Sequence, residues 1–198
     1  MRSKFVMAEG ENDLLFLRQL HYLVRNDLLF DTFNNELSDS SQSSRLTQHR
    51  VGETCEFLYK SEGGLDKLID MFSDISVDIC ELPLDMILLA DLDGYSYQHF
   101  LTNFNSRLSD EMEISAEIEV DEMNWNEEFV FLRCHLLVEG SKADHFKILA
   151  FHHDLEIAAE FADGDSKAEK INKLNQYIKN RNAHIIEFCD FLYESHEE

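Results

Sequence analysis

Two short apolar runs, each ending in acid, constrain this chain more than any other feature. Lys4–Ala8 (KFVMA) and Asp85–Ala90 (DMILLA) are apolar after their first residue. Runs of this length without polar alternation belong to strands buried on both faces, as in a parallel sheet flanked by helices. KFVMA stops at Glu9-Gly10, and DMILLA stops at Asp91-Leu92-Asp93-Gly94. Open α/β sheets bind their ligands outside the carboxyl ends of the strands. The acids therefore stand where chemistry is expected.

The remaining pattern extends this α/β reading. Asp13 to about Phe30 predicts a helix, with Leu14, Leu17, Leu20 and Leu28 on its apolar face. Cys55–Lys60 predicts a strand, Gly63-Gly64 a turn, and Leu65–Phe72 a helix. Tyr97–Leu108 predicts a helix, and Phe146–Phe151 a strand. Asp154–Phe161 starts a helix behind an acidic cap, and Ser166 to about Asn180 and Ile185–Tyr193 predict two more. Strands alternating with helices imply a mostly parallel, Rossmann-like sheet with helices on both faces, in a single domain over 1–198. Within it, 34–50 contain the serine-rich Ser38–Ser44 and predict a flexible loop. Residues 111–140 contain Glu113–Val120 and Phe129–Val138 and predict a β-hairpin insertion, and 166–196 hold the C-terminal helices.

Glu9, Asp91 and Asp93 suit one hard cation. In an extended Asp-x-Asp both carboxylates point to the same side, and Mg²⁺ or Mn²⁺ takes oxygen ligands from a few carboxylates plus water and phosphate. Asp13 lies one helical turn beyond Glu9 and can face the same space. Carboxylates crowded in this way repel one another, and their pKa values rise unless a cation sits among them. The competing reading makes Glu9 and Asp13 caps of the first helix and Asp91 and Asp93 parts of a turn.

On these residues the chain resembles the TOPRIM superfamily, whose signature is Glu-Gly after the first strand and Asp-x-Asp after a later one. The form Glu-Gly-x-x-Asp, here Glu9 to Asp13, is most similar to the OLD-type nucleases. The resemblance covers about Lys4 to Leu108. It implies a nuclease in which two Mg²⁺ or Mn²⁺ ions clamp the scissile phosphate. Glu9 would serve as ligand or general base, and Asp13 would help hold the second ion. It also implies a third acid after a late strand, for which Glu156 in Asp154-Leu155-Glu156 is the candidate, and a basic residue near the chemistry, for which Lys167 is the nearest match. The ATPase module of that family is missing, since no GxxxxGK[ST] occurs, so an ATPase partner would be a separate chain.

Charge opposes a nucleic-acid substrate. The 40 acidic and 17 basic residues give a net charge of −23, a field that repels nucleic acid and anionic membrane. Two bound divalent ions offset only four of those charges. Substrate binding then has to depend on the basic segment with Lys167, Lys170, Lys173, Lys179 and Arg181, on a protein partner, or on a homo-oligomer. A catalytically silent TOPRIM-fold subunit acting through a partner is the alternative. An acidic protein that occupies basic nucleic-acid sites on another protein is a further one. A HAD-like phosphatase would use Asp91 and Asp93, with Asp163-Gly164-Asp165-Ser166 as its late motif, but gives Glu9 no role. Adjacent His152 and His153 point to opposite faces of an extended segment, so at most one could join a site with His135 or His145. Four widely spaced cysteines without a CxxC pair, no signal-peptide pattern and no membrane-length apolar run predict a soluble cytoplasmic protein with free thiols.

Overall fold

The computed structural model describes residues 3–32, 56–79, 84–112 and 115–194. The loop expected over 34–50 lies outside them, as do Cys55 and Cys80. Seven strands form one sheet among the described residues: β1 (Ser3–Ala8), β2 (Phe30–Thr32), β3 (Phe57–Ser61), β4 (Leu84–Asp91), β5 (Ala116–Trp125), β6 (Phe129–Val138) and β7 (Ser141–Phe151). Their order is β2-β3-β1-β4-β7-β6-β5. Strands β2, β3, β1, β4 and β7 pair in parallel, whereas β7–β6 and β6–β5 are antiparallel. The chain is thus an α/β fold with a mixed sheet. The β5–β6 hairpin is continuous with that sheet, because β6 pairs along β7 from Phe129↔Phe151 to Val138↔Ser141.

Six helices accompany the sheet among the described residues: α1 (Glu11–Val24), α2 (Leu65–Ile79), α3 (Tyr97–Met112), the single turn α4 (Leu155–Ala158), α5 (Lys167–Asn180) and α6 (Asn182–Tyr193). The apolar run at β4 is explained by burial on both faces. Met86, Leu88 and Ala90 join a core with Leu68 and Phe72 of α2 and Phe104 of α3. Ile87 and Leu89 join a second core with Phe16 of α1, Leu174 of α5 and Phe188 of α6. Alternate residues of a strand point to opposite faces, so a strand between two helical layers has no polar side.

Several boundaries differ from the sequence expectation. The first helix ends at Val24, not near Phe30. Leu28 N donates to Arg25 O, which makes Asn26-Asp27 the centre of a turn, and Arg25 pairs with Asp27 at 3.0 Å. Asn and Asp favour turns because their short polar side chains satisfy nearby backbone. Phe30 then enters β2. Strand β5 continues past Val120 to Trp125 through a register shift between Val120 and Glu122, where alternation in the sequence breaks down. Helix α2 continues past Phe72 to Ile79.

Two buried lysines fasten α6 to the sheet. Lys4 Nζ donates to Asp85 Oδ2 and to the Glu194 carbonyl, both at 2.9 Å. Lys147 Nζ donates to the carbonyls of Phe191 and Glu194 at 2.7 and 2.8 Å. Ammonium groups suit a helix C-terminus, where unpaired carbonyls carry partial negative charge. Phe188 is fully buried in the core above, edge-on to Phe16 at 5.4 Å and tilted on Phe129 at 4.9 Å. Truncation by Phe188→Ala should destabilise the fold by about 3–5 kcal/mol. Urea unfolding followed by circular dichroism measures it, and a loss under 1 kcal/mol would mean that α6 is not packed as described.

Candidate metal centre

Parallel pairing of β1 and β4 aligns their acidic ends. Ala8 is in register with Leu89, and Glu9 N donates to Leu89 O at 2.9 Å. The Glu9 carboxylate in turn accepts from Asp91 N at 3.2 Å. Gly63 and Gly64 hold the other side of Glu9: both amides donate to its carbonyl at 2.8 Å, with φ of 79° and 128°. Few residues other than glycine adopt that backbone. The turn delivers the start of α2, whose Leu65 amide also donates to the Glu9 carboxylate. Burial raises the Glu9 pKa above the usual carboxylate value, the Asp91 amide opposes this, and the Asp93 charge adds to it.

Asp13, on the first turn of α1, reaches back to accept from Gly10 N at 2.8 Å. It therefore caps its helix, as the competing reading of the sequence had it. Its side chain is nonetheless buried among other acids. Burial, then the Glu9, Glu156 and Asp154 charges, push its pKa up to about 8 against the Gly10 hydrogen bond. Asp91, the last residue of β4, is pushed up to about 9 by burial and by Asp13, Glu9, Asp154 and Glu156. Its Oδ1 is buried without a hydrogen-bond partner among the described residues.

Strand β7 brings the third acidic segment. Because β7 runs parallel beside β4, with Asp91 in register with Phe151, Asp154 and Glu156 emerge on the Asp91 side. Oxygens of Asp91, Asp154 and Glu156 lie within 4.8 Å of one another and could hold a cation. Asp154 caps α4 by accepting from Glu156 N at 2.7 Å. The two carboxyls also bond to each other: this holds Asp154 below its ordinary pKa, while burial and the same bond raise Glu156. A carboxyl pair of this kind shares a proton.

Asp93 occupies a different place from its partner in the Asp-x-Asp. The segment is not extended there. Tyr95 N donates to Leu92 O at 2.8 Å, and Asp93 and Gly94 have φ of 51° and 75°, the geometry of a tight type I′ turn. Asp93 is exposed and reaches the centre through its charge on Glu9. Lys167 is exposed at the start of α5 and lines a cleft of about 250 Å³ with Glu11, Asn12, Arg18, Asp165 and Lys170. Lys170, one turn further along, makes the link to the acids: its Nζ donates to Asn12 Oδ1 at 3.1 Å, and Asn12 Nδ2 donates to Glu156 Oε1. Sequence reasoning gave Asn12 no role, although its place between Glu9 and Asp13 on the first turn of α1 was a usable signal.

Two further basic residues of the segment are engaged locally. Lys173 pairs with Asp165 at 2.7 Å, and Arg181 pairs with Glu128 at 2.8 Å. His152 Nε2 lies 3.0 Å from the Asn126 carbonyl. Among the described residues no helix is long and apolar enough to cross a membrane, and Cys134 and Cys189 are buried free thiols. No family model matches the chain, and neither does any curated protein or solved structure.

The raised carboxyls carry a sign that stability measurements can read. In the unfolded chain Asp13 and Asp91 lose their protons near pH 4. In the fold they keep them to about 8 and about 9. Between these limits the folded state binds more protons, so metal-free stability falls as pH rises from about 4 to about 9. Asp91→Asn removes one of the two groups. Its melting temperature in a chelating buffer should exceed that of the parent by a margin that widens from pH 5 to pH 8. An unchanged or shrinking margin would contradict the buried, crowded state of Asp91.

Proposed function

We propose that the chain is a metal-dependent nuclease with a TOPRIM-like, OLD-type arrangement, acting on DNA or RNA with Mg²⁺ or Mn²⁺. The observation that carries this reading is the convergence of acids behind three adjacent parallel strands. Glu9 follows β1, Asp91 ends β4, and Asp154 and Glu156 follow β7, around Asp91 Oδ1, which has no hydrogen-bond partner among the described residues. Such a half-buried, mutually repelling set fits divalent cations, whose oxygen coordination would satisfy Asp91 Oδ1 and relieve the raised pKa values. Bound divalent ions supply Lewis-acid stabilisation of a phosphate and a more acidic water.

The chain's own groups have separable tasks in this reading. Glu9, Asp91, Asp154 and Glu156 hold charge at the strand ends, and Asp13 closes the buried side. Glu9 is fixed by two backbone amides and so keeps its aim. Lys170, tied through Asn12 to Glu156, stands where a phosphate oxygen would need a counter-charge, with Lys167 further out on the same cleft. A HAD-like phosphatase would leave the half-buried Glu9 and the buried Asp13 without a task. Net charge favours a second reading, a catalytically silent subunit that acts through a basic protein partner or a separate ATPase, because −23 opposes unaided nucleic-acid binding.

Incubation of the purified chain with single- and double-stranded DNA and RNA in Mg²⁺ or Mn²⁺ separates the two. Cleavage is expected, abolished by a chelator and reduced at least about 100-fold in Glu9→Gln and Asp91→Asn, more than loss of an outer-shell partner costs. Lys170→Ala should weaken cleavage while leaving metal binding intact. Cleavage that survives both carboxylate substitutions in folded protein rules out the nuclease centre. No cleavage by the parent, together with a stable complex pulled from the native host, supports the subunit.

A further inference from the structure

The β5–β6–β7 meander carries a second constellation, built from different donors. Glu119 lies directly opposite His135, and His135 directly opposite His145, so the three form one row across the three strands. Asp121 stands at the irregularity between Val120 and Glu122, where β5 has one residue without a partner in the register. Bulges of this kind re-aim side chains and are common beside functional sites. Here the Asp121 Oδ2 atom lies 2.8 Å from His135 Nδ1 and 3.7 Å from His145 Nδ1. One donor atom from each of Asp121, His135 and His145 falls within 4.8 Å of the others.

Hydrogen bonding accounts for the His135 contacts only if both ring nitrogens carry protons. The His135 ring is almost fully buried, and both its nitrogens face carboxylates: Nδ1 faces Asp121, and Nε2 faces Glu119 Oε2 at 2.8 Å. A neutral imidazole has one N–H to give. If Nε2–H is donated to Glu119, the bare Nδ1 and Asp121 Oδ2 face each other as two acceptors, which a cation between them reconciles. An imidazolium would satisfy both carboxylates, with His145 packed edge-on to the His135 ring at 5.9 Å; the metal reading accounts in addition for one donor atom of all three residues lying within reach of a single ion. Carboxylate–histidine–metal relays have this geometry, with an outer carboxylate fixing the tautomer of a ligating histidine.

We infer that Asp121, His135 and His145 form a transition-metal site of the Zn²⁺ class, with Glu119 as the outer carboxylate that orients His135. Two imidazole nitrogens and one carboxylate oxygen suit borderline-soft ions and not Mg²⁺. Around a tetrahedral ion with bonds near 2.0–2.1 Å, donors sit about 3.3 Å apart, between the two separations observed. Three protein donors leave the fourth position to water. The ion's charge offsets Asp121 and Glu119 on the edge strand of an acidic protein, and Lys142 Nζ, 3.5 Å from the other Asp121 oxygen, is the cation already drawn there. His145 lies six residues before the end of β7, roughly 20 Å along the strand from the acidic centre. The two sites are therefore independent, and the ion would clip the β5 side of the sheet across three strands.

The test uses the full chain in the Asp91→Asn background, which weakens the acidic centre, stripped with a chelator and titrated with Zn²⁺ against a chromophoric competitor. One Zn²⁺ per chain is expected, undisplaced by a large excess of Mg²⁺. His145→Ala and Asp121→Asn should weaken it by at least about 100-fold, and Glu119→Gln by about 10–100-fold. His145 is largely exposed, with 60% of its side chain accessible, so its replacement leaves folding intact, which circular dichroism checks. Replacement of buried His135 tests folding as much as binding and does not decide the question. Co²⁺ in place of Zn²⁺ should give visible absorption of a four-coordinate site that is lost in His145→Ala. Zn²⁺ binding unchanged in both His145→Ala and Asp121→Asn, or absent from the Asp91→Asn chain, overturns the assignment.

Discussion

The parallel registers of β1 with β4 and of β4 with β7 are the constraint on which the rest depends. Each strand ends in acid, and only because the strands run the same way do all the acids reach one edge of the sheet. With Ala8 opposite Leu89, the Glu9 side chain meets the Asp91 amide. With Asp91 opposite Phe151, the chain leaving β7 must carry Asp154 and Glu156 past Asp91. An antiparallel neighbour would have sent its acids to the opposite end of the sheet. The energy that holds these registers comes from the two cores, not from the acids, whose mutual repulsion opposes folding.

That opposition is met by fixed dipoles. Glu9 accepts from backbone amides of Asp91 and Leu65, Asp13 from Gly10, and Asp154 from Glu156. Each bond stabilises a carboxylate without adding a positive side chain, so the centre holds no counter-charge of its own and stays open to a cation. The amino groups that are fully buried lie elsewhere. Lys4 and Lys147 are spent on the C-terminal carbonyls of α6, which lock that helix over the second core. Lys170, only partly buried, is the ammonium group that reaches the acidic edge, and it does so through Asn12.

The two halves of the sheet carry different chemistry for a geometric reason. Parallel strands expose their ends, where helices start and acids accumulate. The antiparallel meander instead aligns residues across strands, so that Glu119, His135 and His145 form a row part-way along them. Hard carboxylate donors gather at the first place and imidazoles at the second. Strands of both kinds share β7, which serves the acidic centre at its end and the histidine row near its start.

Much of this was legible in the chain itself. The unbroken apolar runs at β1 and β4 determined that both strands would be buried on two faces, because only a strand between two layers has no polar side. Glu9, Asp91 and Asp154-Leu155-Glu156 were identifiable as acids placed just after such strands, and Gly63-Gly64 as a turn. Tertiary structure alone decided the rest. It set the mixed sheet, since pairing direction depends on which strand lies beside which. It moved Asp93 out of line with Asp91 through a turn with positive φ. It chose Lys170 over Lys167 as the residue joined to the acids, because helix phase and docking angle select which lysine faces Asn12. It also assembled Asp121, His135 and His145, whose spacing along the chain carries no signal, because cross-strand register is a long-range property that no local pattern encodes.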